Sequence, residues 1–177
     1  LPERGGFRRV GGGFVFKGRR GGGETWEWLS PDPFPVAGGL QELTEADMER
    51  LRIAAGIPLV PVDIGPGELP NEGGLEAVAV SYTKGCYLGQ EVMARLKSMG
   101  RVRRRLLRVT GRGALKDAPP APLYQGDRKV GELRSQVGDG AGGFAGLALC
   151  TLQGLGAGAP LARDAGAPGD IQIMDTP

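Results

Sequence analysis

The chain opens with short apolar and aromatic runs bounded by glycine. Residues 13–17 (Gly-Phe-Val-Phe-Lys) and 24–29 (Glu-Thr-Trp-Glu-Trp-Leu) predict strands. The glycine clusters at 11–13 and 21–23 predict turns, and the proline-rich stretch 31–39 predicts a loop. The period then changes. Met48, Leu51 and Ala55 fall at helical spacing on one face. Thr44 stands at the N-cap, Asp47 at the third helical position gives a weaker version of the capping box, and Leu43 and Met48 are spaced as a hydrophobic staple. Gly56 suits the left-handed position after the helix, and Pro58 follows it. A helix is expected at about 45–55.

Residues 57–74 are a proline- and glycine-rich connection, and 75–83 is ambiguous between strand and helix. Leu88, Val92 and Leu96 form an i, i+4, i+8 stripe that predicts a second helix over about 89–98, ended by Gly100. Beyond Gly100 the texture is that of short strands, at 102–109, 129–137, 144–150 and 170–174, separated by Gly-Asp, Asp-Gly and Gly-Gly turns. Strands at this spacing predict a small barrel or sandwich. The expected fold class is therefore α+β. An α/β domain over residues 1–100 is followed by an all-β domain over 101–177.

Composition narrows the chemistry. Among 177 residues, 33 are glycine and 14 proline, which fits many tight turns in a strand-rich fold. The net charge of +2 is too small to attract nucleic acid or membrane in bulk. There is no histidine, which excludes Ser-His-Asp or Cys-His nucleophile systems, histidine metal sites and histidine pH switches within the chain. Two cysteines, Cys86 and Cys150, cannot alone build a four-ligand zinc site or hold an iron–sulfur cluster, so no metal bound by this chain alone is expected. A lone pair of cysteines is not a secreted disulfide scaffold, and a reducing, cytoplasmic setting is expected. No apolar run reaches the roughly 18 residues of a membrane span. The chain lacks an initiator methionine and is expected to belong to a longer product.

Cys86 is the first candidate for chemistry. It lies just before a predicted helix N-terminus, whose free N–H groups and dipole favour an anion, and Lys84 adds positive charge. Both effects favour the thiolate. The alternative is a small buried side chain beside a tight turn formed by Gly85 and Gly89. Cys150 ends an apolar strand and reads as core. Gln90 and Glu91 open the second helix and could present polar groups to a ligand, while Arg95 is spaced for an ion pair with Glu91. The run Arg101, Arg103, Arg104, Arg105, Arg108 could contact phosphates. On a strand, however, alternate residues face opposite ways, so a solvated strand face is the favoured reading.

Residues 84–91, Lys-Gly-Cys-Tyr-Leu-Gly-Gln-Glu, resemble the Lys-Gly-Cys-Tyr-x-Gly-Gln-Glu signature of the YgfZ family of folate-binding proteins, relatives of the T-protein (aminomethyltransferase) of glycine cleavage. The segment Leu51-Arg52-Ile53-Ala54-Ala55-Gly56-Ile57-Pro58 resembles the family upstream of the signature, and Glu91-Val92-Met93-Ala94-Arg95 continues it downstream. Val130-Gly131-Glu132-Leu133 and Gly146-Leu147-Ala148 resemble its C-terminal barrel. The resemblance covers about residues 50–150, and members are longer than this chain, which therefore resembles their middle and C-terminal part.

The resemblance implies a T-protein-like fold, with a ferredoxin-like α/β part before a C-terminal antiparallel β-barrel, around a tetrahydrofolate cavity. It implies an accessory role in assembling or maintaining iron–sulfur enzymes, including one that methylthiolates tRNA. Cys86 corresponds to the family's key cysteine and is the expected catalytic residue. Lys84, Gly85, Tyr87, Gly89, Gln90, Glu91, Arg52 and Glu27 are the expected contacts of a tetrahydrofolate cofactor, Glu27 because its strand resembles a folate-contacting one in T-proteins. The expected partners are folate and iron–sulfur enzymes or their assembly factors, with no direct nucleic acid and no membrane, and the expected state is a monomer. The T-protein's folate arginine aligns with Met48, and Ala54 stands where T-proteins carry glutamate; both argue against a true aminomethyltransferase. That enzyme activity and a non-catalytic docking scaffold are the alternatives.

Overall fold

The computed structural model describes residues 5–33, 38–113 and 118–175, with Met99 described by its backbone only. The expected loop at 31–39 therefore falls partly outside the described residues. The chain forms two compact units, Leu1–Ile57 and Pro58–Pro177. The division lies well before residue 100, because the connection that starts at Pro58 is bonded to the sheet that follows it rather than standing as a linker.

In the first unit, β1 (Phe7–Val10), β2 (Gly13–Lys17) and β3 (Trp26–Leu29) make an antiparallel meander in that order. The first hairpin turns on Gly11 and Gly12, with Val10 paired to Gly13. Gly11 has a φ of +55°, which glycine adopts without strain. Helix α1 (Glu45–Ala54) follows. Its capping box is formed: the Asp47 N–H donates to Thr44 Oγ1 at 3.2 Å, and the Thr44 N–H donates to Asp47 Oδ2 at 3.1 Å. Gly56, at φ +65°, ends it as the sequence predicts.

Two expectations fail here. The buried face of α1 is that of Ile53, 1% exposed, whereas Met48 and Leu51 remain exposed. The order β-β-β-α also differs from a ferredoxin-like arrangement, since all three strands precede the helix and pair as simple neighbours. The sequence pattern does not predict the strand Phe7–Val10, because Phe-Arg-Arg-Val lacks a period-2 pattern long enough to register.

The second unit is built on one antiparallel sheet. Its strands are β4 (Arg104–Arg112), β5 (Ala121–Gln125), β6 (Arg128–Gly138), β7 (Gly143–Thr151) and β8 (Ile171–Ile173), in the order β5-β6-β7-β4-β8. The two edges meet through a short rung. Ala162 exchanges two 2.8 Å backbone bonds with Tyr124 of β5, and Leu161 bonds Ile171 of β8. The sheet thereby curls around a core of Leu107, Val109, Leu123, Val130, Leu133, Phe144, Ala148, Cys150, Leu161 and Ile171. Each leucine, isoleucine, valine or phenylalanine among them contributes roughly 1.5–3 kcal/mol on burial. The sequence misses β5 because Pro122 argues against a strand, yet an edge strand tolerates proline.

The central strand β7 is buried on both faces. Phe144, Ala148 and Cys150 face the core, and the alternate residues Leu147 and Leu149 are also buried. Segment 58–74 is fastened to the strands on either side of β7. On β6, Ser135 donates to Asp63 at 2.6 Å and Arg134 to Glu68 at 2.6 Å. On β4, Arg104 donates twice to Glu72, both at 2.9 Å. The register of β6 against β7 slips between Leu133 and Ser135. That bulge lets consecutive residues Arg134 and Ser135 both reach the segment, where regular pleating would turn them apart. The segment ends in a single 3-10 turn, Pro70–Gly73. Residues 75–83 adopt neither strand nor helix, and α2 (Gln90–Met99) follows.

Candidate functional site: the loop of residues 84–91

The loop is organised by short-range bonds. The Lys84 N–H donates to Ser81 Oγ at 3.2 Å. The Lys84 ammonium lies over the Tyr87 ring, 4.9 Å from its centroid, a cation–π contact that positions the charge without neutralising it. The side chain of Gln90, the first residue of α2, accepts the Tyr87 N–H at 3.2 Å, and the Gln90 N–H donates to the Tyr87 carbonyl at 3.3 Å. Gly89 caps the helix with φ +84°, a backbone conformation that an L side chain resists. The loop's turn chemistry thus belongs to Tyr87, Gly89 and Gln90.

Cys86 projects from this loop and is exposed, while Cys150 is fully buried; both are free thiols. Burial pushes the Cys150 thiol up to about 12. The bland expectation for Cys86, a buried side chain beside a turn, does not hold. Three loop residues separate Cys86 from the first residue of α2, so Glu91, not the thiol, occupies the first helical turn. Glu91 and Arg95 are both exposed, and no ion pair joins them among the described residues. The expected apolar stripe of α2 is not its buried face either: Leu88 is fully exposed and Val92 half exposed, whereas Met93 is buried.

Glu27 and Arg52 belong to the first unit, and both are engaged within it. Glu27, on β3, forms an ion pair with Arg20 at 3.3 Å and accepts the Arg19 N–H at 3.4 Å. Arg52 donates to Glu49 at 2.7 Å and to the Ile57 carbonyl at 2.7 Å, which ties down the end of α1. The donor chemistry at the loop suits a folate in part, since Lys84, Tyr87 and Glu91 offer a cation, a ring and a carboxylate. Two cavities are described. One, of about 570 Å³, is lined by Thr110, Gly111, Arg112, Asp139, Asp170 and Gln172, and the other, of about 440 Å³, by Phe7, Phe14, Phe16 and Leu29. Neither is lined by a residue of the loop. Among the described residues, no group of three or more metal-ligating side chains is placed to hold a metal ion.

Residues 103–173, the sheet and its closing rung, match the model of the CAF17 C-terminal β-barrel domain. The chain is 37% identical over 123 residues to the iron-sulfur cluster assembly factor IBA57, mitochondrial, of Homo sapiens, covering 64% of this chain and 34% of the relative. It is 29% identical over 131 residues to the tRNA-modifying protein YgfZ of Colwellia psychrerythraea, covering 70% of this chain and 35% of the relative. The chain thus carries the CAF17-type C-terminal barrel domain and is similar to both YgfZ and IBA57. It spans about a third of the length of these relatives, and the partial coverage fits a middle and C-terminal part.

The sequence reading misses the carboxylates Asp63, Glu68 and Glu72, which fasten segment 58–74 to the barrel. Their signal was present. Three acids in a stretch whose prolines and glycines forbid a regular helix have no solvated helix face to occupy, and Arg104 and Arg134 lie on the strands to come. No helix of the described residues is long and apolar enough to cross a membrane.

Proposed function

We propose that this chain is the loop-and-barrel part of a folate-dependent accessory protein that assembles or maintains iron–sulfur enzymes, tRNA-methylthiolating ones among them. The supporting observation is an exposed cysteine, Cys86, on the signature loop of a chain whose only other thiol is buried. A thiol that meets clusters or sulfur carriers in trans must be reachable. One thiol cannot retain a cluster on its own, which suits a transient contact rather than a resident cofactor. The cluster or its sulfur is then cargo, and the partners are iron–sulfur enzymes or their assembly factors.

Tetrahydrofolate is the proposed cofactor, with Lys84, Tyr87 and Glu91 as its contacts from this chain. When bound, folate supplies one-carbon chemistry. The residues of this chain hold and orient it, Lys84 through charge and Tyr87 through its ring. Arg52 and Glu27, committed to α1 and to Arg20, support their own unit. The T-protein alternative requires a carboxylate facing the folate nitrogens, and of the proposed contacts only Glu91 carries one.

Folate binding is tested by titrating tetrahydrofolate against the full protein and following tyrosine and tryptophan fluorescence. Lys84→Ala with Glu91→Gln is expected to weaken binding about tenfold or more, the loss of one or two charged hydrogen bonds. Undiminished affinity would remove the loop from the folate site.

A further inference from the structure

We propose that the cation-rich segment running from the signature loop through α2 to the start of β4 binds RNA through its phosphates. Residues 84–105 carry seven cations against the single carboxylate Glu91, a net charge of +6, while the whole chain nets +2; the rest of the protein is therefore acidic, at −4. Six of the seven cations, Lys84, Arg95, Lys97, Arg101, Arg103 and Arg105, are exposed and have no carboxylate partner among the described residues.

This is a property of the place rather than a shortage of acids. In the same strand Arg104 pairs with Glu72 at 2.9 Å and Arg108 with Asp175 at 2.6 Å. Strand alternation sorts the arginine run. Arg104 and Arg108 share one face and are matched to carboxylates. Arg105 lies on the other face, with Arg103 in the same alternation, its carbonyl accepting from Leu152 as the β4–β7 ladder runs on; both are left to solvent. Alternation therefore leaves Arg103 and Arg105 together for a ligand, because Arg104 and Arg108 on the opposite face are already occupied.

The two lysines are held in place while remaining charged. Lys84 lies 4.9 Å over the Tyr87 ring and Lys97 4.2 Å over the Tyr82 ring. The other four are arginines, whose planar fork matches phosphate oxygens. The partner chemistry follows from density. Protein–protein interface cores are depleted of charge, whereas nucleic-acid interfaces are strongly positive. A net +6 strung along one loop, one helix and one strand end is of the second kind.

The test is fluorescence anisotropy of the chain with a labelled folded RNA hairpin, over a range of salt. Binding is expected to weaken steeply as salt rises, with a log–log slope of about −5 if six phosphates of the duplex stem are engaged. Reversing Arg101, Arg103 and Arg105 to glutamate is expected to weaken binding by about a hundredfold and flatten that slope. Arg95→Glu with Lys97→Glu, on the helix, provides an independent arm with a loss of about tenfold or more. The control pair Arg8→Glu and Arg9→Glu changes charge elsewhere and is expected to leave binding within about twofold of that expected for nonspecific effects. Circular dichroism melts verify that each variant folds. Absent binding, equal losses in the control, or stronger binding to poly-glutamate than to RNA would overturn the proposal, the last in favour of an acidic protein partner.

Discussion

Ser135 of β6 donates a 2.6 Å hydrogen bond to the fully buried carboxylate of Asp63, 72 residues earlier in the chain. The bond exists because the bulge at Arg134 turns Ser135 toward segment 58–74. Asp63 also accepts the Leu59 N–H at 2.8 Å, so the same carboxylate shapes its own segment and attaches it to the barrel. Ser135→Ala keeps the volume nearly constant and removes the donor. It is expected to lower stability by about 1–3 kcal/mol, read as a lower urea midpoint at unchanged slope.

The second attachment gives the protein an acid limit. Burial alone raises the Glu72 carboxyl, but hydrogen bonds from Arg104 and from the Leu69 N–H outweigh it and hold the group below its ordinary 4.5. Glu132 is likewise lowered, chiefly by Lys129. A carboxylate whose folded pKa is depressed contributes stability that is complete above the unfolded value and lost as pH falls through the folded one. Stability is therefore expected to be level above about pH 5 and to decline below about 4.5. Glu72→Gln is expected to flatten that decline and to cost about 1–2 kcal/mol at neutral pH, a figure discounted because Arg104 is partly exposed. Denaturant titrations across pH check both.

Helix α1 depends on its cap. Thr44→Ala removes the acceptor for the Asp47 N–H and is expected to cost about 1 kcal/mol, whereas Thr44→Ser restores most of it. Thermal melts of the two variants distinguish loss of the bond from loss of the methyl group.

The site was legible in the sequence where local chemistry decides the structure. Thr44, Asp47 and Gly56 announce α1 because a cap is a matter of a few adjacent residues. The signature loop and the start of α2 are similarly local. Burial was less legible. Met48 with Leu51, and Leu88 with Val92, sit at helical spacing, but spacing does not say which face meets the core, and Ile53 and Met93 meet it instead. The attachment of 58–74 is legible only as three acids with no helix face to occupy; which cations they meet depends on a bulge and on partners more than thirty residues away.

Gly111 tests the barrel's packing. A side-chain carbon there would overlap the Phe144 ring, which is fully buried in the core. Gly111→Val is expected to destabilise the barrel by about 1–3 kcal/mol or more, since the ring has no free volume to enter. Gly113→Ala, outside the core, has open space around it and loses only the left-handed backbone preference.

The two thiols are expected to differ sharply. Alkylation of the folded protein, read by peptide mass spectrometry near neutral pH, modifies Cys86 and spares Cys150, whose thiol burial holds at about 12. Modification of Cys150 is expected only after unfolding.

The central claim is that Cys86 is the working group of an iron–sulfur accessory protein. Its most direct test is the activity of iron–sulfur enzymes in cells whose only copy of the full-length protein carries Cys86→Ser, with Cys150→Ser as the matched control. The account predicts that Cys86→Ser lowers those activities to the level of a deletion while the variant protein accumulates normally, and that Cys150→Ser retains them. Full activity with Cys86→Ser would contradict it.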